Sequence, residues 1–166
     1  MSTTGLDPVV SAEWARVYAA ESGRLIRLAT LLVGPSDAPD VTTEAVARAV
    51  RSSAWATITD QRSYLTRTLV NLAHDRYRQA DRRRRRETKV AQLVIAPSTR
   101  EEADAVRVRS AIRSLSPAQL AVVYLRFWED LTTSRIAEVL GISEGSVLRH
   151  LHRAKRHLRP VLEDDS

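Results

Sequence analysis

The stretch SRIAEVLGISEGSVLRHL, residues 134–151, decides the fold of this chain. Ile136, Ala137 and Leu140 form a short apolar face that stops at Gly141, and a second helical pattern begins at Ser143. A small Ala137 lets two helices approach closely. Gly141 suits the left-handed backbone of a tight turn, and the Ser143 hydroxyl suits the free N–H groups at a helix start. Two short helices joined in this way are a helix-turn-helix, a unit that serves either to enter the DNA major groove or simply to pack.

At about 100° per residue, Val147, Leu151, Ala154 and Leu158 fall in one narrow arc, which predicts the buried face of the second helix. The opposite arc carries Gly145, Arg149, His152, Arg153 and Arg156, flanked by Ser146, Leu148 and His150, with Glu144 in the first turn. An arginine near the start of such a helix can bond a guanine edge through both arms of its fork, so Arg149 is the foremost candidate base reader. Later basic residues sit where phosphates would pass; Arg153, Lys155 and Arg156 would equally suit the negative end of the helix dipole.

Outward from this motif the chain reads as all helical. Upstream, Ser116-Pro117 is a cap followed by a first-turn proline and leads into Leu120, Val123, Tyr124 and Phe127. Thr99 and Glu102 have capping-box spacing ahead of a helix with Ala105, Val108 and Ile112. In the first half, Trp14, Val17, Tyr18, Leu25, Leu28 and Leu32 stripe a helix over 11–33 that Gly34-Pro35 ends. Ser36 is the expected cap of a second helix over about 37–53, bearing Val41, Ala45, Val46, Ala49 and Val50. Residues 54–60 read as a loop, and a third helix from Gln61 buries Leu65, Leu69 and Leu72 and runs into Arg82–Arg86. The expected architecture is two small helical bundles joined by a flexible linker, with domains at 11–86 and 99–160 and the linker at 87–98.

Composition narrows the function. The 166 residues include 26 Lys+Arg against 20 Asp+Glu, a net charge of +6, carried almost wholly by arginine, which points to a polyanionic partner. With no cysteine, disulfides, thiol catalysis and Cys-ligated zinc or iron–sulfur centres are excluded. His150 and His152 lie two apart and face different sides of a helix, no nucleophile-and-base set appears, and no metal or cofactor is implied. An enzyme is therefore not expected. The amino terminus lacks the build of a secretion signal and the longest apolar run, 28–33, is too short for a bilayer, so a cytoplasmic protein without membrane insertion is expected.

Leu115-Ser-Pro-Ala-Gln, Trp128-Glu-Asp-Leu, Ile136 to Val147 and Leu151-His-Arg-Ala together resemble the promoter-binding domain of small bacterial sigma factors of the extracytoplasmic-function group. Asp37-Ala-Pro-Asp, Glu44-Ala and the run from Tyr64 to Arg76 are similar to that family's other domain. The resemblance implies a transcription-initiation subunit that binds core RNA polymerase, reads the minus-ten and minus-thirty-five elements of promoter DNA and helps to open it. An anti-sigma factor is a further partner that many relatives have. By this resemblance Asp37, Asp40, Glu44 and Arg48 would dock on polymerase. The minus-ten element would fall to Trp55, Tyr64, Arg67, Asn71, Arg76 and Arg78, and the minus-thirty-five element to Glu144, Ser146, Leu148, Arg149, His150, His152, Arg153 and Arg156. Asn71 offers a donor and an acceptor to an extruded base, and Trp55 and Tyr64 are aromatic surfaces for it, although both residue types are also common core residues beside a helix start. The three acids would also suit a helix N-terminus. The arginine run would track phosphates. Departures from the family pattern, Leu148 and His150 where basic residues are usual, Thr43 for glutamine and Val50 for an aromatic, bear on specificity and docking. The rival reading is a helix-turn-helix regulator that never touches polymerase.

Overall fold

The computed structural model describes residues 8–86 and 99–162, and every regular element in them is helical. The expected linker over 87–98 lies outside the described residues. The helices are α1 (Pro8–Val33), α2 (Ala38–Arg51), α3 (Gln61–Arg86), α4 (Arg100–Arg113), α5 (Pro117–Phe127), α6 (Thr133–Leu140) and α7 (Glu144–Leu162), with a 3₁₀ turn at Trp55–Thr57. They form two compact units: the first holds α1, α2, α3 up to Ala73 and the stretch Glu138–Gly141, the second the remainder of α3 and α4 to α7 outside that stretch.

In the first unit the apolar stripes meet as their spacing requires. Leu25 and Leu28 of α1, Val41, Ala45, Val46 and Ala49 of α2, and Leu69 of α3 are wholly buried, each leucine contributing about 2 kcal/mol of burial. Gly34 takes a left-handed conformation (φ +89) and ends α1, its amide bonded to Thr30 O at 3.0 Å. Ser36 does not cap α2. The cap position is Asp37, in helical conformation and without a side-chain bond; Pro39 two residues on has no N–H to offer it, and Ala38 N donates to Gly34 O at 3.1 Å. Among the described residues of this unit Arg24 of α1 is the buried charge: it donates to Glu21 Oε2 and to Thr66 Oγ1 of α3, both at 2.9 Å, so its desolvation is matched by a carboxylate and a hydroxyl. Beyond Ala73 no described side chain of α3 is buried.

In the second unit α5 starts on a complete capping box. Gln119 N donates to Ser116 Oγ at 3.3 Å and Ser116 N donates to Gln119 Oε1 at 2.9 Å. Leu120, Tyr124 and Leu125 are buried, but Phe127, expected to continue this stripe, is 76% exposed at the last turn of the helix, and Trp128 after it is 70% exposed. Ala105 and Val108 of α4 also lie on the surface. The turn from α5 to α6 is closed by Leu131 N donating to Leu125 O at 3.0 Å and by Arg126 Nη1 donating to Leu131 O at 2.9 Å, with Asp130 at φ +50.

Candidate nucleic-acid interface

The helix-turn-helix forms as its residue types require. Gly141 sits at φ +67, the Ile142 amide bonds back to Ala137 O at 3.0 Å, and Ser143 caps α7 by accepting from Ser146 N at 3.2 Å. Val147 and Ala154 are buried and Leu151 and Leu158 half-buried, which turns the opposite arc of α7 outward. Arg149, His152, Arg153 and Arg156 are all exposed on it, as is Leu148 on its flank. Glu144 is exposed in the first turn, although its azimuth is that of the core face.

Arg149 is held near the helix start by a chain of hydroxyls. Its Nη2 donates to Ser146 Oγ at 2.7 Å, and Ser146 and Ser143 share a hydroxyl bond of 2.9 Å. The cap residue thus also orients the foremost basic side chain. His150 departs from the rest of the set: half-buried, it has its Nδ1 enclosed without a partner, and burial, then Arg153 and then Arg149 push the imidazole below its ordinary value of 6.5.

On α3 Tyr64, Arg67, Asn71 and Arg78 follow one another by three, four and seven residues and so share a stripe of the helix, whereas Arg76, five after Asn71, lies off it. Asn71 and Arg78 are exposed; Tyr64 is half-buried, its hydroxyl donating to Ser52 Oγ at 3.1 Å. Of the two readings the sequence leaves open for Trp55, the folded chain shows the buried one. It is 6% exposed, and its Nε1 donates to Glu13 Oε1 of α1 at 3.0 Å, so the ring is core. Asp37, Asp40, Glu44 and Arg48 share a stripe of α2; Asp37, Asp40 and Arg48 are exposed and Glu44 half-exposed, and Glu44 Oε1 accepts from Arg48 Nη2 at 2.6 Å. Sequence reasoning missed Glu13. Its pairing with Arg16 three residues on is visible in the sequence, but its bond to Trp55 spans 42 residues.

Residues 105–158 match the family model described as sigma-70, region 4. The chain is 37% identical to the RNA polymerase sigma-E factor of Streptomyces coelicolor over 145 residues, covering 83% of this chain and 79% of that protein. This chain belongs to the extracytoplasmic-function RNA polymerase sigma factors. The sigma-E factor of Streptomyces antibioticus is 34% identical over 91% of this sigma factor and 85% of its own length. The same fold recurs in the sigma factor RpoE of Bartonella quintana, solved with the anti-sigma factor NepR, at a TM-score of 0.56 and 19% identity over 92% of this chain and 98% of that one. The chain is thus a polymerase-binding initiation factor, not a stand-alone regulator. Among the described residues of this sigma factor no helix is long and apolar enough to cross a membrane.

Proposed function

We propose that this sigma factor brings core RNA polymerase to its promoters through two separate DNA contacts, α7 on the minus-thirty-five element and the loop and stripe at the start of α3 on the minus-ten element. The observation that carries the reading is the outward arc of α7, where Arg149, His152, Arg153 and Arg156 are exposed opposite buried Val147 and Ala154 within a capped helix-turn-helix. Arg149 reads a base edge, and Glu144, Ser146, Leu148, His150 and His152 surround it. Arg153 and Arg156 meet phosphates. In the other domain Asn71 bonds the edge of an unstacked base and Tyr64 offers its ring, flanked by Arg67 and Arg78, with Arg76 beside them. The stripe Asp37, Asp40, Glu44 and Arg48 docks on polymerase. It works in the cytoplasm, in two domains at 11–86 and 99–160, and an anti-sigma factor is a further partner; the complex solved for the Bartonella protein supports that last point.

Reconstitution with core polymerase and mapping of transcript starts tests the reading. Arg149→Ala should lower use of the upstream element by roughly tenfold, the worth of one bidentate base contact, and leave opening of a bound promoter intact. Asn71→Ala should do the reverse. Equal loss of both functions in both variants would end the two-site division.

A further inference from the structure

The segment between α2 and α3, Ser52 to Asp60, has only one short 3₁₀ turn of its own, yet it is tied down at three points. At its start Ser52 Oγ accepts from the Tyr64 hydroxyl at 3.1 Å. At its end the Asp60 carboxylate accepts from Ser63 N at 2.9 Å and Ser63 Oγ at 2.6 Å. These two ties are local to α2 and α3. The middle tie comes from another helix: Trp55 Nε1 donates to Glu13 Oε1 of α1 at 3.0 Å.

Glu13 is equipped to hold that position. Its carboxylate also accepts from Arg16 Nε at 2.9 Å and Nη2 at 2.7 Å. The bond from Arg16, then the bond from Trp55, bring its pKa down to about 2, so it stays an anionic acceptor across the working range. Trp55 in turn lies against Tyr64, ring centroids 6.3 Å apart at an interplanar angle of 56°. Without Glu13 the buried indole N–H loses its acceptor, and the middle of the segment is anchored by packing alone.

We infer that Glu13 is a positioning residue for promoter opening: through Trp55 it holds the Ser52–Asp60 segment and Tyr64 in the arrangement that receives an unstacked base. This rests on the minus-ten reading proposed above. A receiving site that is already ordered spends none of its binding energy on ordering itself, and that difference counts most when the DNA must still be unstacked.

Full-length Glu13→Ala, Glu13→Gln, Trp55→Phe and Asn71→Ala variants and the Glu13→Ala, Trp55→Phe double variant, each assembled with core polymerase, would be compared on a fully paired promoter and on the same promoter with a mismatched bubble across the minus-ten element. Opening of the paired template is read by permanganate reactivity of unpaired thymines, and engagement of the bubble, whose thymines are unpaired from the start, by the rate at which a stable, transcribing complex forms. On paired DNA, Glu13→Ala should slow opening by roughly tenfold, the worth of one charge-assisted hydrogen bond. Trp55→Phe should match it, the double variant should be no slower than either, and Glu13→Gln, which keeps an acceptor, should recover most of the rate. On the bubble the Glu13→Ala defect should shrink to about twofold or less, because the unstacking cost is gone. Equal losses on both templates, or losses that add in the double variant, would overturn the positioning role and leave Glu13 a plain stability contact. Asn71→Ala keeps the two proposals apart. If it opens paired DNA normally, the minus-ten reading itself fails; if it is slow while Glu13→Ala is normal, only the role of Glu13 falls.

Discussion

His150 illustrates how one azimuth on a helix changes the chemistry of a side chain. Arg149 points outward, whereas the next residue is rotated by about 100° toward the core edge of α7, half-buried with an unpartnered Nδ1. Burial and the two neighbouring guanidiniums favour the neutral ring. In the folded chain at neutral pH the uncharged imidazole is therefore favoured, whereas an arginine in its place would stay charged. The linkage has a definite sign: the unfolded chain takes up the proton at about 6.5, before the folded one does. The stability contributed by the neutral ring is whole above that pH and is lost as pH falls through it toward the depressed folded value. Thermal unfolding of the full chain should be steady from pH 8 to 7 and then decline more steeply than that of His150→Gln. Parallel curves for the two proteins down to pH 5 would refute this.

At the scale of the element, α5, α6 and α7 owe their boundaries to local chemistry that a reader of the sequence can recognise. Ser116 with Gln119, Gly141 and Ser143 each do in space what their types announce. Gly141→Ala places a Cβ in the left-handed region and should cost about 1–2 kcal/mol. Ser116→Ala should cost about 1 kcal/mol. Asp130→Gly, at the positive φ between α5 and α6, should hold or gain stability and serves as the control. Denaturant unfolding of the full-length variants measures all three; a neutral Gly141→Ala would mean that the turn does not need its glycine. Other features of the elements were not legible. The stripe of α5 runs on to Phe127, but the helix ends there and the ring lies exposed. Ser36 has the right type for a cap and is passed over because a backbone carbonyl reaches the amide first.

For the whole molecule the dominant property is charge. With 26 Lys+Arg against 20 Asp+Glu and an exposed basic arc on α7, promoter binding by the holoenzyme should weaken linearly on a log–log plot against salt, by about 0.9 of slope for each phosphate neutralised. Replacing Arg153 and Arg156 by alanine should flatten that slope by about 2 while leaving the preferred promoter sequence unchanged, as filter binding over a salt series would show. A slope unaltered by both changes would place the two arginines away from the DNA.

From the sequence alone come the helices, their apolar faces, the helix-turn-helix and the basic arc, because periodicity, caps and turn glycines act over a few residues and are written locally. Only the tertiary structure decided that Arg24 is buried against Thr66, that Trp55 is a core anchor held by Glu13, and that His150 is partly enclosed while Phe127 and Trp128 are not. Each depends on which side chain from a distant helix arrives at a given point, and the strength of a hydrogen bond or of burial leaves no mark on the residues lying between the partners.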